Sequence, residues 1–185
     1  MNRIRKYESK DRDNLRKICV ETSGLPTETE KDLSFLFLMY NDYYAEIEPH
    51  NIFVAVNEND EAVGYILCAE DFDKYLSVFK KYYLSKIKKL GFKYYFMALG
   101  EIGVHKLFSK KFKAHLHIDI LSECQGKGTG TALMNELKNH LKSKGIDKLM
   151  LSCGMGNKSA IKFYKKNNFI VLKNILGNCI MVSEF

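Results

Sequence analysis

Polar and apolar residues alternate through Ala-His-Leu-His-Ile-Asp-Ile-Leu at 114–121, placing Ala114, Leu116, Ile118 and Ile120 on one face and His115, His117, Asp119 and Leu121 on the other. A strand requires that period of two. Further on the period changes: Leu133, Leu137 and Leu141 recur at helical spacing within 131–144. The strand gives way to a helix across Gln125-Gly126-Lys127-Gly128-Thr129-Gly130. Upstream, 4–8 reads as an opening edge strand, Ser9-Lys10-Asp11 as an N-cap, and Leu15, Ile18 and Cys19 as the stripe of a helix ending near Ser23-Gly24. After the turn Leu25-Pro26-Thr27, Thr27 and Glu30 stand at capping-box spacing before a Leu-, Phe- and Tyr-rich helix that stops near Pro49, with Leu33, Leu36, Phe37 and Tyr40 as core. Strands follow at 51–56 and 62–69, joined by the polar hairpin connection 57–61. Beyond the glycine loop and its helix come a strand at 147–153, a helix at 157–167, and strands at 169–173 and 178–183 that close the sheet as a hairpin.

Residues 72–113 break this order. Their Lys, Tyr and Phe repeats predict helices, with Phe79, Tyr82, Tyr83 and Ile87 as an apolar stripe and Lys80, Lys81, Lys86 and Lys88 outside it. Charge changes the picture here. The chain carries +7 overall, but 72–113 hold eleven lysines against Asp73 and Glu101, a net +9, which leaves −2 for everything else. With 185 residues, 46% hydrophobic, the chain is long enough for one substantial core and too short for two ordinary domains, so a single domain over 1–185 is expected.

The glycine loop carries the first chemistry. Gly126, Gly128 and Gly130 free the backbone from Cβ clashes, so successive N–H groups can turn toward one anion at the positive end of a helix. A Walker A loop would need Lys followed by Ser or Thr after its last glycine, and a dinucleotide fingerprint would need glycine where Thr131 stands. The pattern formed by Gln125, Gly128 and Gly130 instead resembles the Gln/Arg-x-x-Gly-x-Gly signature of the GNAT superfamily, the acyl-CoA-dependent N-acetyltransferases. A second segment is similar to the same family's Asn-x-x-Ala-x-x-Phe-Tyr-x-x-x-Gly-Phe run, through Asn157, Ala160, Phe163, Tyr164 and Phe169. Asn168 departs from the usual glycine, but asparagine tolerates the left-handed backbone of a helix end. The run 115–121 is also similar to acetyltransferase-like domains related to those attached to some O-GlcNAc hydrolases.

The resemblance implies an α/β (α+β layered) fold: a mixed, mostly antiparallel central sheet, helices on both faces, and here a helical insertion before the fourth strand that would sit over the acceptor end of the cleft. It implies direct transfer from acetyl-CoA to a primary amine in a ternary complex. The amides of Gly126, Lys127, Gly128, Thr129, Gly130 and Thr131, with Gln125, would hold the diphosphate. Backbone groups of Ile118, Asp119 and Ile120, with Asn157, Ala160 and Phe163, would line the pantetheine path, and an N–H near Ile120 would meet the oxyanion. Tyr164 stands at the position of the acid for the leaving thiolate. For the base, His115, His117, Asp119, Glu101, Glu70 and His105 all remain open; His117 and Asp119 share a strand face, where the carboxylate would raise and orient the imidazole.

Cys19, Cys68, Cys124, Cys153 and Cys179 form no Cys-x-x-Cys pair and do not join histidines at zinc spacing, so reduced thiols and no metal are expected. No apolar run reaches the roughly 18 residues of a membrane span, and a cytoplasmic location follows as the expectation. The expected partners are a small-molecule amine acceptor and, as a homodimer, a second copy. The net +9 segment favours an anionic acceptor such as an amino acid or amino sugar phosphate. Two other classes compete: a non-catalytic acyl-CoA-binding or regulatory module on the same fold, and a basic nucleic-acid-associated protein. Tyr164 and the intact loop argue against the first, and the lack of arginine or a familiar binding motif in 72–113 against the second.

Overall fold

The computed structural model describes residues 2–185. Strands β1 (Arg3–Lys6), β2 (Ile52–Val56), β3 (Ala62–Ala69), β4 (Ala114–Ile120), β5 (Lys148–Gly154), β6 (Ile170–Ile175) and β7 (Asn178–Glu184) form one sheet in the order β1-β2-β3-β4-β5-β7-β6. All neighbours are antiparallel except β4 and β5. The mixed, mostly antiparallel sheet expected from the sequence is therefore present.

Helices cover both faces. On one face lie α1 (Arg12–Thr22), α2 (Glu30–Tyr40), α3 (Asp42–Ile47), α4 (Phe72–Tyr82), α5 (Leu84–Leu90) and α6 (Phe92–Lys106). On the other lie α7 (Thr129–Ser143) and α8 (Lys158–Lys166), whose Leu133, Leu137, Leu141 and Tyr164 pack on Ile66, Cys68, Leu116 and Leu149. The alternation along β4 sorts its side chains between these two cores, as period two demands.

Four local expectations are corrected. Ser9–Asp11 is a 3-10 turn, where Glu8 and Asp11 form the capping box and α1 starts at Arg12. The second capping box is Thr29 with Asp32, not Thr27 with Glu30: Asp32 N–H donates to Thr29 Oγ1 at 3.1 Å, and the Asp32 carboxylate also takes the Tyr94 hydroxyl at 2.7 Å. The helix that follows breaks at Asn41 into α2 and α3. Tyr82 is 50% exposed: the inward row runs at i+4 spacing through Tyr75, Phe79, Tyr83 and Ile87, and Tyr82, three residues after Phe79, falls on its solvent side.

Those inward residues change the meaning of 72–113. Phe72, Tyr75, Phe79, Tyr83, Ile87, Ala98 and Ile102 belong to the same core as Leu15, Ile18, Phe35, Leu36 and Tyr44. Burying each large side chain contributes about 1.5–3 kcal/mol. The insertion thus supplies seven of the 23 buried residues of the core on that face, with its lysines turned outward, and is not an appended flap.

Candidate active site

The site begins with an interruption in the sheet. β4 and β5 pair only at Ala114 with Leu149 and His115 with Met150, then diverge, while β4 stays paired with β3 as far as Ile120. The Leu121 N–H donates to Val63 O at 3.0 Å, which fixes the parity. Odd-numbered residues of β4 present their backbone groups to β3, so those of Ile118 and Ile120 face the gap toward β5. Gly64 makes this close pairing possible, since a Cβ there would lie 3.0 Å from Ile120 Cγ1 and 3.2 Å from Asp119 O. That glycine inside a strand was the available sequence signal.

At the mouth of the gap, Gln125 Nε2 donates to Ile120 O at 2.8 Å and ties the loop to the strand end. Gly126 and Gly128 take left-handed φ values of +74° and +84°, which only glycine adopts without cost. The helix begins at Thr129, and its first i→i−4 bond is Ala132 N–H to Gly128 O. Among the described backbone bonds, the N–H groups of Gly126, Lys127, Gly128, Thr129, Gly130 and Thr131 have no acceptor. Such a run at a helix start is suited to an anion. Gly126, Lys127, Gly128 and Thr131 are exposed; Thr129 is buried, with its hydroxyl turned to Asn2 at 3.4 Å. Gly130 serves packing: a Cβ there would meet Phe163 Cε2 at 2.8 Å and Ile120 Cδ1 at 3.2 Å.

Helix α8 forms the other wall. Asn157 caps it, its Oδ1 taking the Ala160 N–H and the Ser159 hydroxyl at 3.0 Å each, which leaves its Nδ2 for a ligand. Asn168 has φ +66°, the left-handed value expected of it. Ala160 and Phe163 are half-buried, and Tyr164 is 8% exposed between Phe163 and Phe169. Burial, and then the Asp119 carboxylate, push the Tyr164 hydroxyl far above its ordinary range, so it is a proton donor at neutral pH.

Across the strand the side chains behave otherwise than expected. Asp119 takes the Tyr65 hydroxyl at 2.6 Å, and burial pushes its pKa up against that bond. His117 Nε2 lies 3.0 Å from the Tyr44 hydroxyl, and its ring meets the edge of Tyr40 at 5.4 Å. Burial and then the nearby His105 push the His117 pKa down to about 3. The expected pairing in which Asp119 raises His117 is therefore absent: successive residues on one strand face stand about 6–7 Å apart, and each finds a tyrosine nearer. His115 Nε2 shares the Tyr44 hydroxyl, also at 3.0 Å, while His105 and Glu101 approach from α6. Glu70 follows β3 at the far end of the sheet and pairs with Lys144, away from the gap. With Glu48 and His50 it brings three metal-capable groups within 4.8 Å, but Tyr43 and Asn51 already satisfy Glu48. Burial pushes the Cys153 thiol up to about 11, which removes it as a thiolate nucleophile near neutral pH. Sequence reasoning missed Tyr44, whose only mark was its place in a tyrosine-rich helix.

A gap between parallel strands, floored by backbone groups and closed by an amide-lined helix start, defines an acyl-CoA-using transferase fold. The Acetyltransferase (GNAT) family matches residues 20–169. The chain belongs to that family, the acyl-CoA-dependent N-acetyltransferases. No curated protein sequence matches significantly. Among solved structures it is similar to SsHAT, at TM-score 0.88 and 22% identity over 98% of this chain and 97% of that one. It is similar to a PaiA N-acetyltransferase from Thermoplasma acidophilum in complex with coenzyme A, at 0.63 and 18% over 100% and 99%. A Drosophila melanogaster polyamine N-acetyltransferase that forms N-acetylagmatine matches at 0.69 and 11% over the whole of both chains. Among the described residues no helix is long and apolar enough to cross a membrane.

Proposed function

We propose that this protein, acting as one domain, transfers the acetyl group of acetyl-CoA to the primary amine of a small anionic acceptor by direct attack in a ternary complex. The observation that carries this is the β4–β5 gap standing over six consecutive amides without backbone acceptors. In this reading the amides of residues 126–131 bind the diphosphate. Ile118 and Ile120 offer N–H and C=O groups to the pantetheine amides, and an N–H of that edge stabilises the oxyanion. Asn157 Nδ2 adds a donor, Ala160 and Phe163 wall the path, and Tyr164 gives a proton to the departing sulfur. His117 receives the amine proton, and Asp119, anchored by Tyr65, borders the reacting centre.

Burial of the Cys153 thiol disfavours an acyl-enzyme on that residue and to that extent supports direct attack. The acceptor class rests on the outward lysines of 72–113, a positive field that draws anions and repels polycations. The test is an acceptor screen with free-thiol detection, comparing amino acids and amino sugar phosphates with spermidine and agmatine. Turnover favouring the anionic amines is expected. Efficient spermidine acetylation would remove the acceptor assignment, and binding of acetyl-CoA without any turnover would leave a non-catalytic acyl-CoA-binding module.

A further inference from the structure

Two buried imidazoles that have no part in the acetyl-transfer roles above, His105 and His115, line a shared cavity, and each keeps one ring nitrogen without a partner. His105 is 5% exposed and His115 2%, and neither Nε2 of the first nor Nδ1 of the second meets a hydrogen-bonding atom. Their ring centroids lie 5.2 Å apart. Both line a cavity of about 10 Å³ shared with Tyr44, Glu101 and His117. That is room for one water, and a water there would satisfy two buried groups otherwise left without a hydrogen bond.

The neighbours constrain the protons. His105 Nδ1 lies 3.1 Å from the Glu101 carbonyl oxygen, so Nδ1 carries the hydrogen and Nε2 is an acceptor. The Tyr44 hydroxyl lies 3.0 Å from Nε2 of both His115 and His117, so it donates to one and accepts from the other. When His117 is the donor, Tyr44 donates to His115, whose Nδ1–H then points at the cavity. A water there accepts from His115 and donates to His105. Of the three histidines, His117 alone is more than marginally exposed, which makes it the entry.

We propose that one water in this cavity completes a proton relay, from His117 through Tyr44, His115 and the water to His105 and Glu101, that carries away the proton of the attacking amine. The proposal rests on the acetyltransferase reading above. As the nitrogen bonds to the thioester carbon, the carbonyl π pair moves to oxygen, the amine N–H bond breaks and its proton goes to His117 Nδ1; collapse of the oxyanion then breaks the C–S bond, the sulfur takes the Tyr164 proton, and Tyr164 regains one from solvent. His117 Nε2–H passes to Tyr44, the Tyr44 proton to His115 Nε2, His115 Nδ1–H to the water, and a water proton to His105 Nε2. Only His105 ends as a cation, with Glu101 Oε1 3.6 Å from its Nδ1. Glu101, 19% exposed, hands the charge to solvent. After product leaves, water in the open cleft takes a proton from His117 as one returns through Glu101, restoring the starting tautomers. A relay is needed because burial keeps His117 from holding the charge itself. The titratable groups facing His105 are Glu101 on its own helix, His115 and His117 from β4, Tyr44 from α3 and Tyr75 from α4.

His105→Gln keeps a hydrogen-bonding side chain that cannot take a proton. Acetyl-CoA affinity should hold while kcat falls about 10²-fold, the low end for proton-transfer groups. In Glu101→Gln the acid limb of kcat/KM should move to lower pH, since the cationic end loses its counter-charge. A folded His105→Gln protein with unchanged kcat and pH profile would overturn the relay. Nitrogen NMR of 15N-histidine in the resting protein tests it without turnover: His117 as the Nε2–H tautomer with His115 and His105 as Nδ1–H is expected, and His115 and His117 both as Nε2–H would overturn it. Absence of amine acetylation by the unmodified protein would instead count against the transferase reading.

Discussion

The two faces of β4 are built by different means. Toward α7 and α8, Ile118 and Ile120 meet a loop and two helix starts built from backbone N–H groups, left-handed glycines and one asparagine cap. Toward α2, α3 and α6, His115, His117 and Asp119 meet tyrosines and a glutamate that act through side chains. A backbone-made site is local and tolerates most side-chain changes except at its glycines. A side-chain-made site depends on packing across the whole molecule. Variants on the first face should therefore change cofactor affinity, and variants on the second should change proton chemistry or stability.

Tyr164 lies in the α7/α8 core but acts through its side chain, and Tyr164→Phe, which removes only the hydroxyl, should lower kcat by roughly 10² to 10⁴-fold with acetyl-CoA affinity kept. Steady-state kinetics beside calorimetry checks the split, and parallel losses in both would blur the two-face distinction. Phe79 lies in the insertion but at 0% exposure in the main core, so Phe79→Ala should cost about 3–5 kcal/mol of stability in denaturant unfolding. A loss under about 1 kcal/mol would restore the picture of 72–113 as an appended lid. Gly128→Val forces a branched side chain into φ +84° and crowds the cradle. Acetyl-CoA binding should weaken by about 2–3 kcal/mol, roughly 30- to 150-fold, while the Phe79 core is untouched.

The histidine face should also set acid stability. His117 is held near 3 and His115 well below its ordinary value, both chiefly by burial. The unfolded chain binds protons on both below about pH 6.5 while the folded chain does not, so stability is full above that pH and falls as pH drops toward 3. The slope reaches about 1.4 kcal/mol per pH unit for each histidine. Melting curves of the His117→Phe protein should be less steep in pH across that window, and an unchanged slope would mean His117 is not held neutral.

The same contrast governs what the sequence disclosed. Gly126, Gly128, Asn157 and Asn168 act within a few residues of themselves, so their pattern was readable. Gly130 was read as part of the cradle, but it is glycine because Phe163, distant in sequence, packs against it. The capping box moved from Thr27 and Glu30 to Thr29 and Asp32 because the same spacing occurs twice and Tyr94 reaches only Asp32. The Tyr44 bridge joins residues 71 and 73 positions apart, beyond any local period. Tyr82 was misplaced because i+3 and i+4 neighbours of Phe79 both suit a helical stripe, and the packing selects the i+4 row of Tyr75, Phe79, Tyr83 and Ile87.

Direct transfer at the gap is tested most plainly by following thiol release after rapid mixing with saturating acetyl-CoA, with and without an amine acceptor. No burst should appear without amine, and with it one thiol should form for each N-acetyl amide. A burst of one thiol per protein in the absence of amine would place the acetyl group on the enzyme first and contradict the account.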